Sequence, residues 1–377
     1  MRKPKILILT ANYGNGHLQV ARALQERFLN ANADVSVRNM YLEASPRINE
    51  WTRKLYLKSF TKGGKHLYRL FYYSSQEITK RQNLLMFPYG YATLRKIIEE
   101  EQPDAIINTY PSHAVEYFLT KTNNRLPTYT IVTDYCLHHA WIQPSIAKYY
   151  VATQHLKNLL INHDIDTNKI AVTGIPVEKQ FDYSYSRQAL LDKYQLDGNL
   201  KTVLIVAGAY GVSKEIKYIC EELRQVKGLQ ILVVCGKNQQ LFNQLETKYQ
   251  EDKQFRVFGY VTQMAELFEL ATCVITKPGG IILSEAVVKN VPIVLLGATP
   301  GQERENALFF QSHGAAIFCE KWEQLVVETQ NLVMDDERLK EMKAAVAKFY
   351  VPLAAGEIVT DVMDAYYWRE QQNKLKV

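Results

Sequence analysis

The stretch Cys273-Val274-Ile275-Thr276-Lys277-Pro278-Gly279-Gly280-Ile281-Ile282-Leu283-Ser284-Glu285-Ala286 decides the fold. Its first four residues form a short uncharged run rich in β-branched side chains, the pattern of a strand buried on both faces. Lysine, proline and two glycines stop that strand, and the apolar residues beyond them open a helix. Strand, glycine turn and helix are the repeating unit of a doubly wound α/β sheet, whose parallel strands are joined by helical crossovers. The same order stands near the other end of the chain. There Lys5–Thr10 runs through Ala11-Asn12-Tyr13-Gly14-Asn15-Gly16-His17 into a helical pattern over Leu18–Asn30.

Further strand-like runs alternate with helical patterns. In the first half they are Asp34–Met40, Asp104–Thr109, Thr128–Thr133, Tyr149–Ala152 and Ile170–Thr173. In the second half they are Thr202–Ala207, Gln230–Cys235, Phe255–Phe258, Cys273–Thr276, Pro292–Leu296 and Ala315–Phe318. The rhythm breaks after Gly174-Ile175-Pro176, and the polar stretch from Val177 to about Leu200 reads as irregular. At about 150 residues per domain, a chain of 377 residues has the length of two. We therefore expect two Rossmann-like doubly wound domains. Ligands of such sheets bind beyond the carboxyl ends of the strands, so the informative residues should follow strands and a cleft should lie between facing domains.

With 47% apolar and 22% charged residues, the composition excludes a disordered chain, a collagen-like repeat and a disulfide-stapled mini-domain. No hydrophobic run approaches the roughly 18 apolar residues of a membrane span. Met1-Arg2-Lys3-Pro4 leads directly into the first strand without an apolar signal-peptide core, so a cytoplasmic protein is expected. Cys136, Cys220, Cys235, Cys273 and Cys319 are odd in number, far apart and without a C-x-x-C pair, which points to reduced packing residues.

The charge is concentrated. Between Arg47 and Lys96 eleven Lys and Arg residues face only Glu50 and Glu77, a local +9 in a chain whose total is +6. The same segment carries Trp51, Tyr56, Phe60, Tyr68, Phe71, Tyr72, Tyr73, Phe87, Tyr89 and Tyr91. Interleaved cations and amphipathic aromatics suit an anionic membrane surface, with Trp51, Arg53, Lys54, Lys58, Phe60, Lys62, Lys65 and Arg69 as candidate contacts. The alternative is a helical hairpin with core aromatics and solvated lysines. Nucleic acid is disfavoured, because the segment has no RNP1-like motif, zinc-finger spacing or helix-turn-helix signature.

Four loops carry candidate chemistry. Gly14-Asn15-Gly16-His17 offers backbone N–H groups to an anion and a histidine able to act as a base, or it is only a tight connection. It is not the dinucleotide fingerprint, since Gln19 stands where the third glycine would be. Thr133-Asp134-Tyr135-Cys136-Leu137-His138-His139-Ala140-Trp141 brings an acid, histidines and a tryptophan together after a strand. Asp134 could tune a base and Trp141 offer a stacking face to a sugar ring; two adjacent histidines also suit a metal, although no further ligands stand nearby. In the Lys277–Ala286 turn, the N–H groups of Gly280 and Ile281 can cradle a diphosphate while Glu285 accepts from ribose hydroxyls, or Glu285 only complements the helix dipole. Finally, Pro300-Gly301-Gln302-Glu303-Arg304-Glu305-Asn306 gathers polar side chains suited to hexose hydroxyls, or to water.

Taken in order, G-N-G-H, T-D-x-x-x-H-x-x-W, T-G-I-P, K-P-G-G-x-x-x-S-E and P-G-Q-E-x-E-N-A resemble the bacterial processive diacylglycerol β-glucosyltransferases. These are related to plant monogalactosyldiacylglycerol synthases and to the lipid-intermediate GlcNAc transferase of peptidoglycan synthesis. The resemblance runs from Lys5 to about Ala316 and includes Leu70-Phe71-Tyr72-Tyr73, Lys148–Thr153, Val234–Asn238 and Phe258-Gly259-Tyr260.

The resemblance implies a GT-B fold with an acceptor- and membrane-facing domain over residues 1–176, a UDP-sugar domain over 177–355, and a helix over 356–377 returning to the first domain. It implies UDP-glucose as donor, diacylglycerol and then glucosyldiacylglycerol as acceptors, and no metal or other cofactor. The products would be mono- and diglucosyldiacylglycerol, membrane glycolipids and anchors of lipoteichoic acid, made at the cytoplasmic face of the membrane. Carried over by motif, His17 matches the general base, with Asp134 as alternative base or orienting group, and His138 and Trp141 match the acceptor-side loop. Phe258, Gly259, Tyr260 and Val261 would frame the uracil, Gly16, Gly279, Gly280 and Ile281 the diphosphate, Glu285 the ribose, and Gln302 and Glu303 the glucose. Ala209 and Tyr210 would close over the phosphates. One departure stands out: relatives place Thr where this chain has Ile282, removing a hydroxyl donor from the phosphate turn. Rival readings are a UDP-sugar 2-epimerase on the same fold, a lipid galactosyltransferase using UDP-galactose, and a membrane-bound UDP-glucose sensor without turnover.

Overall fold

The computed structural model describes residues 2–11, 16–47, 90–207 and 213–375, together with Glu50, Arg69, Tyr72 and Ser74. These residues form two compact units. Unit 1 comprises Met1–Glu178, Thr299–Gln302 and Val351–Val377, and unit 2 comprises Lys179–Ala298 and Glu303–Tyr350.

Unit 1 is built on a six-stranded sheet of β1 (Lys5–Leu9), β2 (Asp34–Arg38), β3 (Ala105–Asn108), β4 (Thr128–Ile131), β5 (Lys148–Val151) and β6 (Ile170–Val172). Its strand order is β2-β1-β3-β4-β5-β6, with every neighbouring pair parallel. The sheet of unit 2 contains β7 (Lys201–Val206), β8 (Leu229–Val234), β9 (Phe255–Phe258), β10 (Cys273–Thr276), β11 (Ile293–Leu296) and β12 (Ala316–Cys319). The order is β12-β11-β10-β7-β8-β9, again all parallel. Both orders reverse direction once, between β1 and β3 in unit 1 and between β7 and β10 in unit 2. At such a switch point the connecting helices leave to opposite sides and open a crevice.

The strands are short and apolar because they are covered on both faces. All four residues of β3, β4, β10 and β11 are buried. Helices complete the layers through apolar stripes: Val20, Ala21, Ala23, Leu24 and Phe28 are the buried residues of the helix Gly16–Asn30. Each of the twelve strands lies within a residue or two of its sequence expectation. The stretch read as irregular after Val177 is different: it contains a helix over Arg187–Tyr194, capped by the Ser186 hydroxyl accepting from Ala189 N–H. Only Leu190 and Leu191 of that helix are buried, too few to show a 3.6-residue period.

The last helix, Ala354–Leu375, belongs to unit 1. There the Tyr150 hydroxyl donates to Asp361 Oδ2 at 2.6 Å, and Lys148 Nζ stands 2.6 Å from the same oxygen. Burial and the neighbouring carboxylate both push the Tyr150 phenol upward, so it remains a donor. Cys220, Cys235, Cys273 and Cys319 are buried and Cys136 is half-buried, all as free thiols. No helix among the described residues is long and apolar enough to cross a membrane.

Candidate active site

In unit 1, Leu9 of β1 stands opposite Asn108 of β3, which stands opposite Thr130 of β4. The chain leaves these three strands side by side, and the residues that follow meet at the switch point. Thr109 is tied to β1 by its N–H, which donates to Leu9 O at 3.0 Å, and by its hydroxyl, 3.2 Å from both Leu9 O and His17 O. In return, His17 Nδ1 lies 2.7 Å from the Thr109 carbonyl oxygen and 2.9 Å from Thr133 Oγ1. A carbonyl can only accept, so Nδ1 carries the proton and the Thr133 hydroxyl oxygen is placed to share it. The lone pair of the neutral ring is therefore on Nε2. Tyr110 packs its ring edge-on to the imidazole at 5.1 Å, and Tyr41 lies edge-on to Tyr110 at 5.7 Å. Burial pushes His17 down to about 4, against a raising contribution from its bond to Thr109. At neutral pH the side chain is an uncharged, oriented base.

Thr133 begins the second candidate loop, so Asp134, half-buried, follows directly on a residue that touches His17. Further along, His138 Nδ1 accepts from Ala140 N–H at 3.1 Å and caps the short turn His139–Trp141. Burial first, and then the neighbouring His139, push His138 down to about 4. His139 meets His163 edge-on at 4.7 Å. Among the described residues no group of three His, Cys, Asp or Glu side chains is placed to hold a metal ion. Trp141, expected on the acceptor side, is 3% exposed.

At the switch point of unit 2, β10 leads into the helix Gly280–Val288, with Gly279 as N-cap. Gly279 N–H donates to Lys277 O at 2.9 Å and Gly279 O accepts from Leu283 N–H at 3.2 Å, which fixes the turn. The first N–H groups of a helix have no partner within it, so those of Gly280, Ile281 and Ile282 present a positive concentration suited to an anion. The Ser284 hydroxyl donates back to Gly280 O at 2.7 Å. Glu285 is 4% exposed, and a hydroxyl reaching it would meet a carboxylate with little competing water. Ile282, half-buried, stands at the position of interest in this first turn.

The residues of the fourth loop separate by role. Asn306, fully buried, donates from Nδ2 to Pro278 O at 3.1 Å, so it holds the glycine turn rather than facing a sugar. Arg304 pairs with Glu320 at 2.9 Å. Gln302 and Glu303 open the helix Gln302–Ser312 and remain half-buried. Beyond β9, Cys235 N–H donates to Phe258 O at 2.8 Å and Gly236 N–H to Gly259 O at 3.1 Å, extending the ladder into the loop. Phe258 packs edge-on to Tyr194 at 5.7 Å, Val261 is half-buried, and Tyr260 is exposed with Lys237 Nζ 5.9 Å from its ring centroid. Ala209, Tyr210, Trp51, Arg53, Lys54, Lys58, Phe60, Lys62 and Lys65 lie outside the described residues, whereas Arg69 is described and exposed.

Sequence reasoning missed Thr109, Tyr110 and the Thr133 hydroxyl. The signal that could have found them was positional, since all three follow strands next to the switch point.

Comparison with known proteins agrees with this architecture. Residues 17–177 match the monogalactosyldiacylglycerol (MGDG) synthase family, and residues 202–358 match the glycosyltransferase family 28 C-terminal domain. A processive diacylglycerol beta-glucosyltransferase of Bacillus cereus (strain B4264) is 41% identical over 366 residues, covering 96% of this chain and 94% of that protein. The MurG structure of Acinetobacter baumannii superposes with a TM-score of 0.63 at 16% identity, covering 96% of this chain and 100% of that one. UDP-GlcNAc 2-epimerase from Neisseria meningitidis, solved bound to UDP-GlcNAc, gives a TM-score of 0.60 at 16% identity over 96% and 100% of the two chains. These distant structures share the fold. Two doubly wound sheets with a histidine at one switch point and a glycine-started helix at the other are those of a GT-B glycosyltransferase. Within that class, the chain belongs to the processive diacylglycerol β-glucosyltransferase family.

Proposed function

We propose that the protein transfers glucose from UDP-glucose to the free hydroxyl of 1,2-diacylglycerol with inversion at the anomeric carbon, and repeats the transfer on the glucosyl lipid. The substrate class rests on the 41% identity to named diacylglycerol glucosyltransferases over 96% of the chain. The observation that carries the chemistry is His17, whose Nδ1 is held by Thr109 O at 2.7 Å so that Nε2 keeps its lone pair. In this reading Nε2 takes the acceptor O–H proton as that oxygen forms the bond to the anomeric carbon, and the bond from that carbon to UDP breaks. Asp134 is the alternative base, acting directly or by orienting His17. The leaving diphosphate is stabilised by the N–H groups of the Gly280 helix and its dipole, which supply fixed positive charge where negative charge develops.

The donor subsite consists of Gly279, Gly280 and Ile281 for the diphosphate, Glu285 for the ribose, Phe258 to Val261 for the uracil, and Gln302 with Glu303 for the glucose. Gly16, Ala209 and Tyr210 complete the phosphate side, and His138 the acceptor side. Catalysis in this scheme needs no metal. The protein works as a peripheral enzyme on the cytoplasmic face of an anionic membrane, engaged through the cationic aromatic segment.

The test is product analysis after incubating the protein with diacylglycerol in anionic liposomes and either UDP-glucose or UDP-galactose. Glucosyl lipids formed only from UDP-glucose are the expected result, and their sugar count reads out processivity. Galactolipid from UDP-galactose would reassign the donor. UDP binding without any product would favour a sensor, the reading that Ile282 in the phosphate turn supports.

A further inference from the structure

Asn306 shares with Ala307 and Phe310 the buried stripe of the helix Gln302–Ser312, and none of its surface is exposed. A stripe of this kind is ordinarily apolar, because burying an amide costs free energy unless its groups are bonded. Asn306 Nδ2 donates to Pro278 O at 3.1 Å. Gly279 N–H, at the other end of the same peptide plane, donates to Lys277 O at 2.9 Å. The carbonyl and N–H of one trans peptide point in opposite directions, so the two bonds together fix the rotation of the Pro278–Gly279 plane. The chain alone does not fix it. Gly279 has φ −74° and ψ 144°, and beyond its chain neighbours a Cβ there would meet nothing closer than Ile282 Cγ2, at 3.8 Å. A glycine so placed lets the peptide plane before it turn over at little steric cost. All these residues belong to unit 2.

Resting on the donor subsite proposed above, we infer that Asn306 is a positioning residue that holds the Pro278–Gly279 peptide in the orientation in which the helix start at Gly280 receives a diphosphate. Without the Asn306 donor, Pro278 O is a buried acceptor lacking that partner, and turning the plane over moves this partial negative charge beside the N–H groups an anion needs. A protein that spends only part of its time in the competent orientation binds its ligand more weakly by that fraction. Once bound, the diphosphate recruits the N–H groups itself, so chemistry at saturation is unaffected. Asn306 therefore acts on donor affinity and not on the proton transfer at His17. The same side chain ties the turn to the helix that carries Glu303, the proposed glucose contact, so the phosphate and sugar ends of the subsite share one brace.

The experiment compares wild type, Asn306→Leu and Asn306→Asp by calorimetry with UDP and by turnover with UDP-glucose on phosphatidylglycerol vesicles containing diacylglycerol. Asn306→Leu keeps the size and removes the donor. Its Kd for UDP and KM for UDP-glucose are expected to rise about tenfold or more, while kcat stays within about twofold. Loss of folded protein would instead lower kcat and leave KM alone. Asn306→Asp keeps the shape, and its buried carboxyl, once protonated, donates to Pro278 O. Its deficit against wild type at the same pH is therefore expected to shrink as pH falls from about 8 to about 5.5, whereas that of Asn306→Leu does not. In the ligand-free protein, amide hydrogen exchange over 277–283 is expected to be faster in Asn306→Leu than in wild type, and UDP to restore the difference. Wild-type UDP affinity in Asn306→Leu, or an Asn306→Asp as impaired as Asn306→Leu at the acid end, overturns the inference. If the wild type binds UDP with this dependence on Asn306 but makes no glycolipid, the proposed function fails and the brace stands; glycolipid formation with unchanged UDP affinity in Asn306→Leu gives the converse.

Discussion

The two switch points are topologically alike and chemically opposed. In unit 1 the residues after β1, β3 and β4 surround a side chain: oxygen atoms of Thr109 and Thr133 hold Nδ1 of His17, and burial keeps the ring neutral. In unit 2 the turn after β10 ends in the pair Gly279-Gly280, and what is presented is backbone N–H rather than a side chain. In the proposed function one site manages a proton and the other an anion. The same sheet order serves both because it brings loop ends together without dictating their chemistry.

The contrast can be broken most severely at His17. His17→Ala is expected to lower kcat by about 10²–10⁴-fold, while calorimetry finds UDP affinity unchanged; a shared loss would mean that the two sites are not separable. On the other side, Ile282→Thr restores a hydroxyl donor to the phosphate turn and is expected to tighten UDP about ten- to a hundred-fold, the equivalent of ~1.5–3 kcal/mol. Turnover per bound donor should stay unchanged in that variant. Thr133→Val removes an oxygen partner of His17 Nδ1 and is expected to cost about fivefold in kcat, with Thr133→Ser recovering it.

The pH dependence sharpens the same comparison. A base held down at about 4 stays unprotonated through the neutral range, so the acid limb of kcat/KM should lie well below the ordinary histidine value of 6.5. Folding stability follows the same sign. Between 6.5 and about 4 the unfolded chain binds protons at His17 and His138 that the folded chain refuses. Stability therefore falls as pH drops through that window and levels off below it. Urea midpoints measured from pH 7 to pH 4 should show the slope, and His17→Ala should reduce it.

The fold was legible because parallel strands covered on both faces are written as short apolar runs bounded by glycine and proline. The glycine turn at 277–280 and His17 were legible for the same reason, as they sit where strand grammar changes to helix grammar. What stayed hidden depends on distant partners. Thr109 and Thr133 lie 92 and 116 residues from His17, and only the adjacency of β1, β3 and β4 brings them to it. Asn306 reads as one more polar residue at a helix start until its bond to Pro278 O is seen. Trp141 and Tyr72 show that an aromatic side chain in a loop or a basic segment carries no local mark of its burial.

The return of the helix Ala354–Leu375 to unit 1 has a consequence for biosynthesis. As the chain emerges from the ribosome, β1 to β6 appear first, but Tyr150 and Lys148 must wait for Asp361, more than 200 residues later. The whole sheet of unit 2 is translated in the interval, so the half made first is the half finished last. During that delay the surface later covered by the final helix stands open, and transiently open apolar surface of this kind makes a folding intermediate prone to aggregate.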